Sequence, residues 1–147
     1  MKRIEWHETY ALGFPQLDKD HRRLLDLANE IIGALDDKDH EECQLRVEQF
    51  VEALRQHFPR EERFLAEIEY PRLELHAGYH RQMLERAEEF RRVCERLGEE
   101  KGLTDQLEQL ITALLADVRG GDLHFRTHLL EKGLNKALTE RFGFIWL

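Results

Sequence analysis

The sequence predicts an all-α protein, an up-down-up-down four-helix bundle preceded by an ordered N-terminal arm. Three observations carry that prediction. Apolar residues recur at spacings of three and four along four long stretches, the period of a helix with one buried face. Short polar turns join the stretches, which sets neighbouring helices antiparallel. Only 9 Gly and 3 Pro occur in 147 residues, too few turn formers for a many-stranded sandwich or barrel.

Up to Pro15 the chain mixes Trp6, Tyr10, Leu12, Gly13 and Phe14 without a helical period, and reads as an arm leading into the first helix. Asp18 is a good N-cap, followed by a stripe of Leu24, Leu25, Leu27, Ala28, Ile31, Ile32 and Leu35. Residues 36–39 form the turn, and a second helix begins near Asp39. Its stripe runs through Leu45, Val47, Phe50, Val51, Leu54, Phe58, Phe64 and Leu65, and Pro59 is expected to kink it.

Pro71 suits the start of a third helix carrying Leu73, Leu75, Tyr79, Met83, Leu84, Ala87, Phe90, Val93 and Leu97, with Gly98 ending it. After a polar turn at residues 99–102, a fourth run goes from Thr104 through Leu107, Leu110, Ile111, Leu114, Leu115 and Val118. Gly120-Gly121 bends it, and it resumes at Asp122 through Leu130, Leu134 and Leu138. The apolar end, residues 142–147, should dock on the bundle. With no repeat or linker, residues 1–147 read as one domain, long enough to bury roughly two thirds of its unfolded surface.

Composition narrows the function. Apolar residues make up 41% and charged residues 35%, which excludes a disordered polar tract. The net charge of −8 denies the chain any counterion-release gain, so nucleic acid is not an expected partner. No apolar run approaches ~20 residues and the N-terminus has no apolar signal region, so neither a membrane span nor secretion is expected. Cys43 and Cys94 have no metal-type spacing and read as half-buried thiols of a reducing, cytoplasmic compartment.

Four-helix bundles build cofactor sites in the core from side chains on facing helices. Residues four apart on a helix differ by about 40° and share a face. Three helices carry such a pair of ligand-type residues: His57 and Glu61, His76 and His80, His124 and His128. The first helix adds His21, three residues before Leu24. Converging imidazoles with one carboxylate suit one or two borderline transition metals, with Fe, Mn and Zn all possible. His7 and His40 sit in polar surroundings and read as surface residues. No Glu-x-x-His occurs, which argues against ferritin-like oxidase chemistry. A site dominated by neutral imidazole stabilises ferric iron less and favours reversible ligand binding.

Trp6, Tyr10 and Gly13, then Leu17-Asp18-Lys19-Asp20-His21 and Leu24, Leu27 and Asn29, resemble the opening of bacteriohemerythrins. His57-Phe58-Pro59-Arg60-Glu61-Glu62 resembles the HF-x-x-EE signature of that family, and Tyr70-Pro71 followed by His76-x-x-x-His80 its YP…H-x-x-x-H signature. The resemblance implies a non-haem di-iron centre, two Fe ions with an oxo or hydroxo bridge, that binds O2 or a similar small ligand. It implies that His76 and His80 ligate one iron together with a histidine of the fourth helix. His21 and His57 would ligate the other, which keeps an open position. Glu61 would bridge the two, and Glu62 would face outward or support the site.

The fourth helix departs from the family pattern, Trp-Leu-x-x-His-Ile with Asp five residues after the histidine. Aligning that histidine with His128 puts Gly133 at the Asp position; aligning it with His124 puts Leu129 there. Neither register supplies a second bridging carboxylate. His124, His128 and Glu131 project within about 60° of one another, so either the second histidine or Glu131 could fill the vacant place. Three functions compete: O2 carriage, storage or sensing; enzyme-like turnover of O2, peroxide or nitric oxide; and iron storage or delivery. Nothing in the sequence specifies a protein partner.

Overall fold

The structure is a computed structural model describing residues 2–11, 14–96, 100–118 and 127–128. A 3-10 turn, Glu8–Tyr10, precedes four helices: α1 (Pro15–Asp36), α2 (His40–Glu67), α3 (Leu73–Arg96) and α4 (Glu100–Ala116). A π-helical turn at residues 117–118 follows α4. No strand occurs among the described residues. Successive helices pack on one another and α4 meets α1, so the chain is an all-α four-helix bundle. Among the described residues, no helix is long and apolar enough to cross a membrane.

The described part of the arm packs on α1. The Ile4 N–H donates to Asn29 Oδ1 at 2.7 Å, and Asn29 Nδ2 donates back to the Ile4 carbonyl at 2.7 Å. Trp6 meets Tyr10 edge-on, with the Arg22 guanidinium 4.5 Å above the indole.

The helix starts differ in detail from the sequence expectation. α1 begins at Pro15 rather than after Asp18, because proline at the first helical position comes with φ preset and no N–H to leave unpaired. Asp18 instead lies in the first turn, where a carboxylate suits the positive end of the helix dipole. Asp39 does cap α2, accepting the Glu42 N–H at 3.1 Å. α2 runs unbroken through Pro59. α3 starts two residues after Pro71, which lies in a turn. α4 starts at Glu100, ahead of Thr104, because Leu103 already belongs to its buried face. Leu97, Gly98 and the Gly120-Gly121 bend fall outside the described residues.

Among the described residues, the core has two parts. The larger cluster gathers Leu24, Leu27, Phe50, Leu54, Phe90 and Leu107 among others. The smaller includes Phe14, Leu17, Phe64, Leu65, Ile68 and Tyr70. Cys43 and Cys94 are fully buried rather than half-buried, free thiols whose sulfurs stand 3.7 Å apart between α2 and α3. Leu45, Leu75 and Tyr79, expected on buried stripes, are exposed. His76 and His80 take the inward face of α3, and Leu75 and Tyr79, each one residue before a histidine, are turned away from it.

Candidate metal centre

Each helix changes character at the boundary between the two apolar clusters. On α1, His21 lies between Leu17 of the smaller cluster and Leu24 of the larger. On α2, His57 and Glu61 lie between Leu54 and Phe64. On α3, His76 and His80 lie between Leu73 and Met83. At the end of α4, Asp117 follows Leu114. These side chains are all buried, and together they make one polar layer across the bundle.

Glu61 stands at its centre and divides it. Glu61 Oε2 is 2.8 Å from His57 Nε2 and 3.2 Å from His21 Nε2. Glu61 Oε1 is 2.5 Å from His76 Nε2 and 3.5 Å from His80 Nε2. Asp117 closes the second side, with Oδ1 3.7 Å from His76 Nε2 and Oδ2 3.6 Å from His80 Nε2. Two donor groups result, His21–His57–Glu61 and Glu61–His76–His80–Asp117, each with its donor atoms within 4.8 Å of one another. They share Glu61.

Two imidazoles are oriented from behind. His57 Nδ1–H donates to Asp20 Oδ2 at 2.9 Å, and His80 Nδ1–H donates to Glu62 Oε2 at 3.0 Å. A hydrogen bond at Nδ1 fixes the tautomer and leaves Nε2 free to bind a metal. The His80 ring also lies flat on Phe58, with centroids 4.0 Å apart.

Burial opposes charge on these rings, yet neighbouring carboxylates win. Asp20 and Glu61 push the His57 pKa up to about 9 against desolvation. Asp117 and Glu61 push His80 up to about 10 in the same way. The Glu61 carboxyl is held well below its usual range: burial raises it, but hydrogen bonds and charge from His21, His57 and His76 prevail. Without metal, protons on the imidazoles neutralise the buried carboxylates.

The donor set fits a metal. The Nε2 atoms of His57 and His80 are buried and close to the carboxylates of the layer, yet neither has a well-aligned hydrogen bond. Orphaned buried nitrogens are costly, and a cation between them and the carboxylates would satisfy both. Imidazole with carboxylate suits borderline transition metals such as iron.

The structure thus brings together His21, His57, Glu61, His76 and His80. It places His128 elsewhere. That ring is buried, with Nε2 3.4 Å from the Ile68 carbonyl and its plane edge-on to Tyr70, and it belongs to neither donor group. His124 and Glu131 lie outside the described residues. His7 and His40 are exposed, as expected. Asp117 is the residue that sequence reasoning missed. Its signal was a charged residue three positions after Leu114, on the buried stripe of α4. Counting onward from the fourth-helix histidines led away from it. A cavity of about 520 Å³ opens beside this side of the layer, lined by Tyr70, Arg72, His76, Tyr79, Met83 and Asp117 among others.

An all-α bundle with two histidine–carboxylate groups sharing one glutamate defines a metal-binding bundle protein. The profile of the family described as "Hemerythrin HHE cation binding domain" matches residues 12–126, and the chain belongs to that family. Membership implies non-haem iron as the metal. Relatives named bacteriohemerythrin are distant in sequence. That of Stenotrophomonas maltophilia is 23% identical over 147 residues, covering 100% of this chain and 94% of the relative. That of Clostridium acetobutylicum is 24% identical over 131 residues (86% of this chain, 93% of the relative). That of Pseudomonas aeruginosa is 26% identical over 115 residues (78% of this chain, 73% of the relative).

Proposed function

We propose that the chain holds two non-haem irons and binds O2 or a similarly small ligand at them. The observation that carries this reading is the division of Glu61, whose Oε2 faces His21 and His57 while its Oε1 faces His76 and His80. A carboxylate with one imidazole pair on each oxygen has the arrangement of a bridge between two ions. His21 and His57 would hold one iron; His76, His80 and Asp117 would hold the other. Bound iron supplies an exchangeable coordination position and one-electron redox chemistry.

The protein's own residues do the rest. Asp20 and Glu62 orient His57 and His80, and apolar clusters pack against the layer from both sides. The first side offers three protein donors and the second four, among the described residues. The first side therefore has more room for an exogenous ligand. His124, outside the described residues, remains a proposed contributor from the fourth helix; His128, held against Ile68 and Tyr70, does not.

The competing reading, turnover of O2, peroxide or nitric oxide, draws support from the cavity beside His76 and Asp117, which has space for more than a diatomic. Exposing the iron-loaded, reduced protein to air separates the two. A stable charge-transfer band that vanishes when O2 is removed supports binding. Rapid conversion to a ferric spectrum that no longer responds to O2 removal supports turnover. Uptake of fewer than two irons per chain rejects the two-iron reading itself.

A further inference from the structure

The carboxylates behind His57 and His80 differ in their surroundings. Both oxygens of Asp20 stand 2.6 Å from Arg60 Nη1, and Gln16 Nε2 donates to Oδ1 at 3.0 Å. Glu62 takes His80 and, among the described residues, has no cation against it. An anionic acceptor at Nδ1 draws the proton, raises the basicity of the ring and makes Nε2 a stronger donor to metal. A guanidinium on the same carboxylate draws density away and weakens that effect. Asp117 adds negative charge on the His76/His80 side alone.

We propose that Arg60, acting through Asp20, makes the His21/His57 side of the centre the weaker electron donor, so that the two metals have different reduction potentials. This rests on the two-iron reading above. Arg60 is a positioning and tuning residue here; it touches Asp20 and no donor atom. The less donating side stabilises its ferric ion less. The first electron therefore reduces the iron held by His21 and His57, and the second reduces the iron held with Asp117. Each step is Fe(III) plus one electron to Fe(II), with dithionite as the reductant.

The test is an anaerobic, mediated reductive titration of the iron-loaded full chain, with wild type, Arg60→Gln, Arg60→Lys and Asp20→Asn compared. Wild type should show two separate one-electron waves. Arg60→Gln should lower the upper wave and leave the lower in place, because Asp20 then acts at full charge. Asp20→Asn should raise the upper wave, because the charge behind His57 is gone. Arg60→Lys should restore the wild-type position. Opposite shifts from Arg60→Gln and Asp20→Asn are a signature that a purely structural contact would not produce. Unmoved waves, equal movement of both, or shifts of the same sign would overturn the proposal. So would iron loss in Arg60→Gln with no movement of either wave. Wild type that fails to take up two irons defeats the earlier reading, before any variant is made.

Discussion

Glu61 is the residue on which both donor groups depend, and its removal should be felt on both sides. Glu61→Ala is expected to hold less than one iron per chain, and Asp117→Asn to lose one iron and keep the other. His7→Ala and His40→Ala, changed at exposed positions, should keep both. Metal analysis after desalting decides this, and equal iron in all four variants would reject the assignment. The same residues set the pH response of the metal-free protein. The His57 and His80 pKa values are raised to about 9 and about 10, so their contribution to stability is complete below the unfolded value near 6.5. It is lost as pH climbs through 9 to 10. Asp20 is held low: burial would raise it, but its bond to His57 and the charges of His57 and Arg60 outweigh that, and Glu61 is lowered likewise. Their contribution is present above about pH 4 and is lost below it. Thermal melting of the metal-free chain should therefore peak between about pH 5 and 6.5. Iron must displace protons from the same rings, so uptake at pH 7 should release protons and affinity should rise with pH, which a proton-release titration measures.

At the scale of single helices, α2 carries the most information and the most local cost. Pro59 lies inside it and cannot donate to the Arg55 carbonyl. Pro59→Ala should stabilise the metal-free fold by about 1–2 kcal/mol, less than the full helix penalty because the variant also frees the unfolded chain. Denaturant melts would show it as a higher midpoint at unchanged slope, with iron content retained. The helix itself was legible from its stripe and from Asp39, whose cap the structure keeps. So were His57 and Glu61, because four-apart spacing survives small errors in helix ends. The exposure of Leu75 and Tyr79 was less legible. α3 has apolar residues beside its histidines as well as in line with them, and only the layer opposite decides which face turns inward. Asp117 was hidden for a related reason. It belongs to the π-helical turn after α4, so a motif counted from the later histidines has no register for it.

Across the molecule, the polar layer separates a large apolar cluster from a small one. Among the described residues, the small cluster gathers Phe14, Leu17, Phe64, Leu65, Ile68 and Tyr70. Metal that binds the folded chain stabilises it by mass action, and the gain should be greatest at this end. Amide exchange at residues 14–17 and 64–70 is expected to slow on iron loading, while amides near Phe50 and Phe90 change little. Uniform slowing along the chain, or none, would count against a divided core.

The same layer has a consequence for how the bundle recognises its own correct assembly. Apolar stripes are forgiving: a helix that slips by one residue turns by about 100° and still finds grease to rest on. The donor atoms are not forgiving, because α1, α2, α3 and the turn that ends α4 all contribute to one small volume. A slipped α1 or α3 would swing its imidazoles out of reach and leave Glu61 facing hydrocarbon. Iron uptake thus works as a parity check on the packing, passed only when every helix is in phase with the other three.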